Sequence, residues 1–241
     1  ATHGVVKMVE ILENRNEKID WCLVGEPSSD LRVGDVVRVG RRGSLCAILT
    51  IHGVQGHVAF PDIADNPIHS FAPALAELTR ENWCNGNDFF PPTRLQVSNI
   101  NSGTGAENII PGSVDALFNL RFSSELDADT IKQRCAAILD KYNFNYDLEW
   151  RLSGNPFITR QGALIDAAHT AIKKVTGNET LNDTGGGTSD GRFIAPTGAQ
   201  VLELGPLNES IHKINENVII EDLEPLSQIY ENMLVELLIS G

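Results

Sequence analysis

Between residues 142 and 152, Tyr142, Phe144, Tyr146, Leu148, Trp150 and Leu152 alternate with Asn143, Asn145, Asp147, Glu149 and Arg151. Successive side chains of a strand point to opposite faces, so this period of two predicts a strand with one buried face. The run closes a series that begins at Ser44. Leu45, Ala47, Leu49 and Ile51 alternate with Cys46, Ile48 and Thr50 as a first strand. Asn66-Pro67 then reads as an N-cap and first helical residue, with Ile68, Phe71, Leu75 and Leu78 on one face. After the Pro91-Pro92 break comes a strand over 95–100, then another with Val114, Ala116, Phe118, Leu120 and Phe122 inward. A helix over 127–141 turns Ile131, Cys135 and Ile138 inward. Strand, helix, two strands, helix, strand is the split βαβ order: a four-stranded antiparallel sheet with two helices on one face. The edges of such a sheet need a cover or a partner.

The flanking segments have α/β character. Val5, Val9 and Leu12 recur at helical spacing, and 19–25 reads as a short buried strand. It runs into Gly25-Glu26-Pro27-Ser28-Ser29-Asp30, which puts Glu26 at the strand's C-terminal end, where open α/β sheets bind ligands. Beyond Ser153-Gly154-Asn155-Pro156, Leu164, Ala168, Ala171 and Val175 mark a helix closed by Gly177. A glycine turn over 184–190 looks set to open another helix, 200–204 is a strand, and Leu226, Ile229, Met233 and Leu237 stripe a long final helix. The expected organisation is a partial α/β domain, a mixed sheet flanked by helices, from residues 1–42 and 157–241. Residues 43–156 form an inserted α+β, ferredoxin-like domain. The chain has no initiator Met and opens inside a helical pattern, so a further N-terminal segment is expected.

Against 32 acids stand 19 Lys and Arg, a formal charge of −13. Such a surface repels phosphate backbones and anionic lipid, which argues against nucleic-acid or membrane partners. The first residues, Ala1-Thr-His-Gly-Val-Val-Lys-Met8, show no signal-peptide pattern, so none is expected, and the longest apolar runs fall far short of about 20 residues. Cys22, Cys46, Cys84 and Cys135 lie far apart without a C-x-x-C pair, as expected of reduced thiols in a cytoplasmic protein.

Of six histidines, His3, His52, His69 and His169 have no supporting context. His57, behind Gly53-Val-Gln-Gly56, and His212, at the end of the loop after the 200–204 strand, sit where rigid scaffolds place functional groups. Glu26 fits either a solvated turn or a metal ligand. Gly185-Gly186-Gly187 is neither a Walker loop nor G-x-G-x-x-G; it is a tight turn or a set of N–H groups facing a carboxylate. Arg41, Arg42 and Arg121 suit surface ion pairs or carboxylate clamps. No Gly-x-Ser-x-Gly and no Cys in a coherent His context offers a nucleophile.

Six strings occur in order: Val24-Gly-Glu-Pro-Ser-Ser29, Gly40-Arg-Arg-Gly-Ser44, Gly53-Val-Gln-Gly-His-Val-Ala-Phe-Pro61, Glu107-Asn-Ile-Ile-Pro111, Gly185-Gly-Gly-Thr-Ser-Asp-Gly-Arg-Phe193 and Gly205-Pro-Leu-Asn-Glu-Ser-Ile-His-Lys213. The set resembles the dizinc amidohydrolases of the M20 peptidase family across essentially the whole chain. The resemblance implies a catalytic α/β domain with an inserted lid that forms a homodimer. It implies that Glu26 ligates one zinc and His212 the other, with cobalt or manganese as substitutes. It makes His57 the lid histidine that reaches the partner subunit's site and polarises the scissile carbonyl. Arg41, Arg121, Thr188, Asn208 and Asn108 match positions that bind substrate carboxylates; Phe60 stands where relatives often have Tyr. The family's His-x-Asp pair and its Glu-Glu pair of general base and ligand have no counterpart here. The chain therefore resembles the last two thirds of such an enzyme, and is expected to be inactive alone. The implied reaction is hydrolysis of an N-acyl amino acid, first a doubly anionic N-succinyl substrate, with acetylornithine as competitor. A non-catalytic dimerisation module is the alternative from another class.

Overall fold

The computed structural model describes residues 4–239; His3 lies outside them. The chain forms α1 (Val5–Asn14), β1 (Trp21–Val24), β2 (Val36–Arg38), β3 (Gly40–Arg41), β4 (Gly43–His52), β5 (Gly56–His57), α2 (Pro67–Arg80), β6 (Arg94–Ser102) and β7 (Ile109–Ile110). It continues through β8 (Ser113–Phe122), α3 (Ala128–Leu139), β9 (Asn145–Gly154), β10 (Phe157–Ile158), α4 (Ala163–Thr176), β11 (Leu181–Asp183), α5 (Gly191–Ile194), β12 (Gln200–Glu203) and α6 (Leu223–Leu238). Two compact units result, one from residues 1–41 and 156–241 and the other from 42–155.

In the inserted unit, β4, β8, β6 and β9 form one antiparallel sheet in the order β6-β8-β4-β9. Leu45, Leu49, Phe118 and Leu120 line its inner face and pack with Phe71 and Leu78 of α2 and Ile131 and Cys135 of α3. The split βαβ expectation holds. Asn66 caps α2 as expected, its side chain accepting from Ile68 N–H at 3.1 Å, and Asp127 caps α3 by accepting from Thr130 N–H at 2.6 Å. The last strand starts later than its alternation suggests. Tyr142 ends a 3-10 turn, Asn143 is left-handed at φ 53°, and pairing begins at Asn145. Tyr142 and Phe144 still pack on the core, so the hydrophobic alternation outruns the hydrogen-bond ladder. As the sheet's edge, β9 keeps Tyr146, Leu148 and Trp150 only half-buried.

The other unit has a mixed sheet in the order β1-β12-β2-β11, with β1 parallel to β12, β12 antiparallel to β2, and β2 parallel to β11. Helices cover both faces. Leu202 and Leu204 pack with Leu164 and Ile172 of α4 and Ile229 and Met233 of α6, while Val201 packs with Val9 of α1 and Ile194 of α5. Gly177 closes α4 in the left-handed conformation at φ 73°. The glycine turn opens only the four-residue α5. Short β2, β3, β10 and β11 escaped the sequence reading, since two or three residues carry no period.

Candidate metal and substrate-binding loops

Glu26 and His212 lie on loops leaving the C-terminal ends of two paired parallel strands, β1 and β12, in register at Val24 and Glu203. Hydrogen bonds stitch the loops together. Ser29 Oγ donates to Gly205 O at 2.8 Å, Gly205 N–H donates to Ser28 Oγ at 3.2 Å, and Asn208 N–H donates to Ser29 O at 2.9 Å. Both serines are fully buried. Their hydroxyls replace backbone partners where the strand ladder stops, as buried polar groups require. The contact is so close that a Cβ on Gly205 would stand 2.4 Å from Glu26 O. Glu26 is half-buried, whereas His212 is exposed with a left-handed φ of 60° in a turn tied by its N–H to Glu216 at 3.3 Å. A carboxylate and an imidazole are the donor types that hold zinc. Among the described residues no group of three His, Cys, Asp or Glu is gathered tightly enough to hold a metal ion. A complete centre therefore needs donors beyond Glu26 and His212.

Arg41 is buried rather than free. Its Nε donates to Glu203 Oε2 at 2.8 Å, Nη2 pairs with the same oxygen, and Nη1 donates to Gly185 O at 2.6 Å. Glu203 is fully buried, and Ser189 Oγ donates to its other oxygen. Thr188 lies half-buried in the turn that these bonds hold. The Asn208 amide donates to Asp30 Oδ1 at 2.9 Å, an oxygen that also receives Arg38 at 3.2 Å. Arg38 bridges on to Asp183, and its burial pulls the guanidinium below its usual range. Asp30, Arg38, Ser189 and Glu203 went unnoticed in the sequence. The available signal was a charge at 203 inside the buried run Gln200-Val-Leu-Glu-Leu204.

In the inserted unit, β5 pairs with β7 so that His57 stands opposite Ile109, beside Asn108. Ala59 N–H donates to His57 Nδ1 at 3.0 Å. The Asn108 amide approaches Nε2 at 3.5 Å, and Phe60 tilts against the imidazole with centroids 5.7 Å apart. Arg121 lies across from Ser44 and Arg94, on the sheet face opposite the helices. The structure thus brings Glu26, Asn208 and the base of the His212 loop together, Arg41 with the Thr188 turn, and His57 with Asn108.

Residues 39–147 match the peptidase dimerisation domain of the M20 family. The fold agrees: the structure superposes with a TM-score of 0.77 on an M20 family metallo-carboxypeptidase from Sulfolobus solfataricus, at 16% identity over 95% of this chain and 66% of the other. An aminopeptidase PepT from Bacillus cereus superposes at 0.76, with 19% identity over 97% and 61%. Residues 39–147 are thus similar to that dimerisation domain, and the chain has the fold of these two structures. In particular, the chain is similar to succinyl-diaminopimelate desuccinylases. It is 64% identical to that of Methylococcus capsulatus over 99% of this chain and 63% of the relative, and 61% identical to that of Hahella chejuensis over 100% and 63%. The chain spans just under two thirds of the length of these relatives.

Proposed function

We propose that this chain supplies part of a dinuclear-zinc amidohydrolase that converts N-succinyl-LL-2,6-diaminopimelate to succinate and LL-2,6-diaminopimelate in a cytoplasmic biosynthetic route. The observation that carries the reading is the stitched pair of loops. It sets a carboxylate, Glu26, and the base of an imidazole-bearing loop, His212, at the C-terminal ends of adjoining strands. The identity to relatives of that name supports the substrate. Glu26 holds one metal and His212 the other, with remaining donors and the general base outside this set. Bound zinc supplies polarisation of the amide carbonyl and a water acidified toward neutrality.

Arg41, Arg121, Thr188, Asn108 and Asn208 bind the substrate's carboxylates, guanidinium forks doing so in planar, two-point fashion. His57 acts across a homodimer, its imidazole stabilising the developing oxyanion in the partner's site. The unpaired edges of β6 and β9 give such a dimer strands to extend. The same chemistry on N-acetylornithine is the competing reading, and a substrate panel separates the two.

The test uses an enzyme of the relatives' full length. Glu26→Ala should lower bound metal by one ion per site while leaving the fold intact, since a half-buried loop Glu outside the core is worth about 0.5 kcal/mol. Unchanged metal content with normal turnover removes Glu26 from the site. Mixing inactive Glu26→Ala and His57→Ala subunits under verified exchange should restore part of the activity. No recovery refutes the across-dimer role of His57.

A further inference from the structure

Among the described residues Glu203 is the one fully buried acid, and it carries a network rather than a single partner. One carboxylate oxygen takes both Nε and Nη2 of Arg41, and the other takes the Ser189 hydroxyl. Through Arg41 Nη1 the network also grips Gly185 O at 2.6 Å. The turn between the two grips is built around it. Gly186 is left-handed at φ 83°, and a Cβ there would stand 2.5 Å from Arg41 Nη1. At the far end, Gly191 N–H donates to Ser189 Oγ at 3.2 Å. So Glu203 fixes both ends of the turn that presents Thr188, as well as the plane of the Arg41 guanidinium.

Stability alone does not call for this arrangement. Taking an ion pair out of water costs about as much as its attraction returns, and well-packed apolar groups of similar volume do as well or better. What the buried carboxylate does provide is orientation, because a guanidinium whose Nε and Nη2 converge on one oxygen while Nη1 is held by Gly185 O is confined to one plane and one direction. Five N–H groups are available on Arg41, and the three bonds above do not exhaust them. We infer that Glu203 is a positioning residue: with Ser189, it locks the Arg41 guanidinium and the Gly185–Ser189 turn in the one arrangement that receives an acyl-chain carboxylate. The inference rests on the proposed roles of Arg41 and Thr188 and adds the group that sets them.

Two measurements decide it. In the chain itself, hydrogen exchange of the 185–190 amides should rise at least tenfold in Glu203→Gln and by less in Ser189→Ala, with β4 and β8 unchanged. Unchanged exchange in the turn overturns the inference. In the full-length, metal-loaded enzyme, Glu203→Gln should raise KM for N-succinyl-diaminopimelate at least tenfold with kcat altered less than threefold, and leave KM for an N-acetyl analogue near wild type. Placed on an Arg41→Lys background, Glu203→Gln should add little further loss, since both changes act through one group. Equal losses on both substrates, or full additivity with Arg41→Lys, make Glu203 merely structural and refute the proposal. If Glu203→Gln does not fold, Ser189→Ala carries both tests with severalfold effects, and the same outcomes refute it. If the wild-type enzyme leaves the succinyl substrate untouched, the proposed function fails, while hydrogen exchange still decides whether Glu203 holds the turn.

Discussion

Replacing Gly205 by alanine tests the geometry that joins the two loops. The added methyl would stand 2.4 Å from Glu26 O, 2.8 Å from Glu26 C and 2.9 Å from Gly25 O. Even the short C–H···O contacts of sheets leave about 3.3 Å between carbon and oxygen, so the loops must part by roughly 0.9 Å. The obstacle is backbone, which cannot rotate away as a side-chain tip would. Parting also strains the bonds that straddle the contact: Ser29 Oγ to Gly205 O, Gly205 N–H to Ser28 Oγ, and Ser29 N–H to Pro206 O at 3.3 Å. Overpacking of this kind costs about 1–3 kcal/mol, and at roughly 2–4 °C per kcal/mol the melting temperature falls by several degrees. A control is at hand in Gly187, where a Cβ meets nothing within 4 Å. Gly187→Ala should be neutral or stabilising by up to about 1 kcal/mol through the unfolded chain. Calorimetry of both variants reads stability, and metal analysis of a protein of the relatives' full length tests whether parting the loops disturbs the proposed metal site. A displacement near 1 Å is enough to cost about 10²-fold in turnover. A Gly205→Ala protein within 0.5 kcal/mol of wild type and with full metal content would show that the loops are not in the contact described.

The thiols should separate in reactivity. Burial pushes the Cys84 thiol up, but its hydrogen bonds with Ser123, Thr93 and Gly86 N–H outweigh that and bring it below the ordinary value, while burial drives Cys135 up to about 12. Iodoacetamide near pH 8 should label Cys84 first, and peptide mapping that finds Cys135 labelled as fast contradicts the packing. All three tyrosines are raised: Tyr142 by its hydrogen bond to Glu77, Tyr230 by burial, and Tyr146 by burial and Asp140 to about 12. Folded values above the unfolded value near 10 mean a stabilisation complete below about pH 10 and lost as pH rises toward 12. Tyrosinate absorbance of the native protein should therefore lag that of the urea-unfolded chain, and coincident curves would refute this. Phe118 is buried against Trp150 in an edge-to-face pair with centroids 5.9 Å apart. Phe118→Ala should cost the inserted unit about 3–5 kcal/mol in urea unfolding, and a loss under 1 kcal/mol would place it outside the core.

What the sequence makes legible follows from range. The inserted unit rests on long alternations and on caps whose partners lie within three residues, such as Asn66 with Ile68, so period and turn chemistry suffice. The other sheet rests on strands of three or four residues, whose membership is settled by pairing rather than by period, and the alternation of the sequence does not show β2 and β11. The candidate residues divide the same way. Glu26, His57 and His212 stand out because they follow strand ends and glycines. The grip of Glu203 on Arg41 joins residues 162 positions apart and leaves no local trace beyond an acid in an apolar strand.

That division carries a physical consequence for an acidic chain. A net charge of −13 opposes an anionic ligand at long range. Attraction must then come from cations held within a few ångströms of the ligand, where screening by salt, effective beyond about 8–10 Å, hardly acts. In this unit the buried cations are already neutralised at their inner side, Arg38 by Asp30 and Asp183 and Arg41 by Glu203. Such pairs add little net stability, since desolvation offsets attraction. They do hold the segments together: Arg38 links β2 to the end of β11 and, through Asp30, to Asn208, while Arg41 links β3 to β12 and the glycine turn. Each acid thus trades charge for geometry, and the loops bearing Glu26, Thr188 and His212 are fixed at their roots by groups that themselves need never touch a ligand.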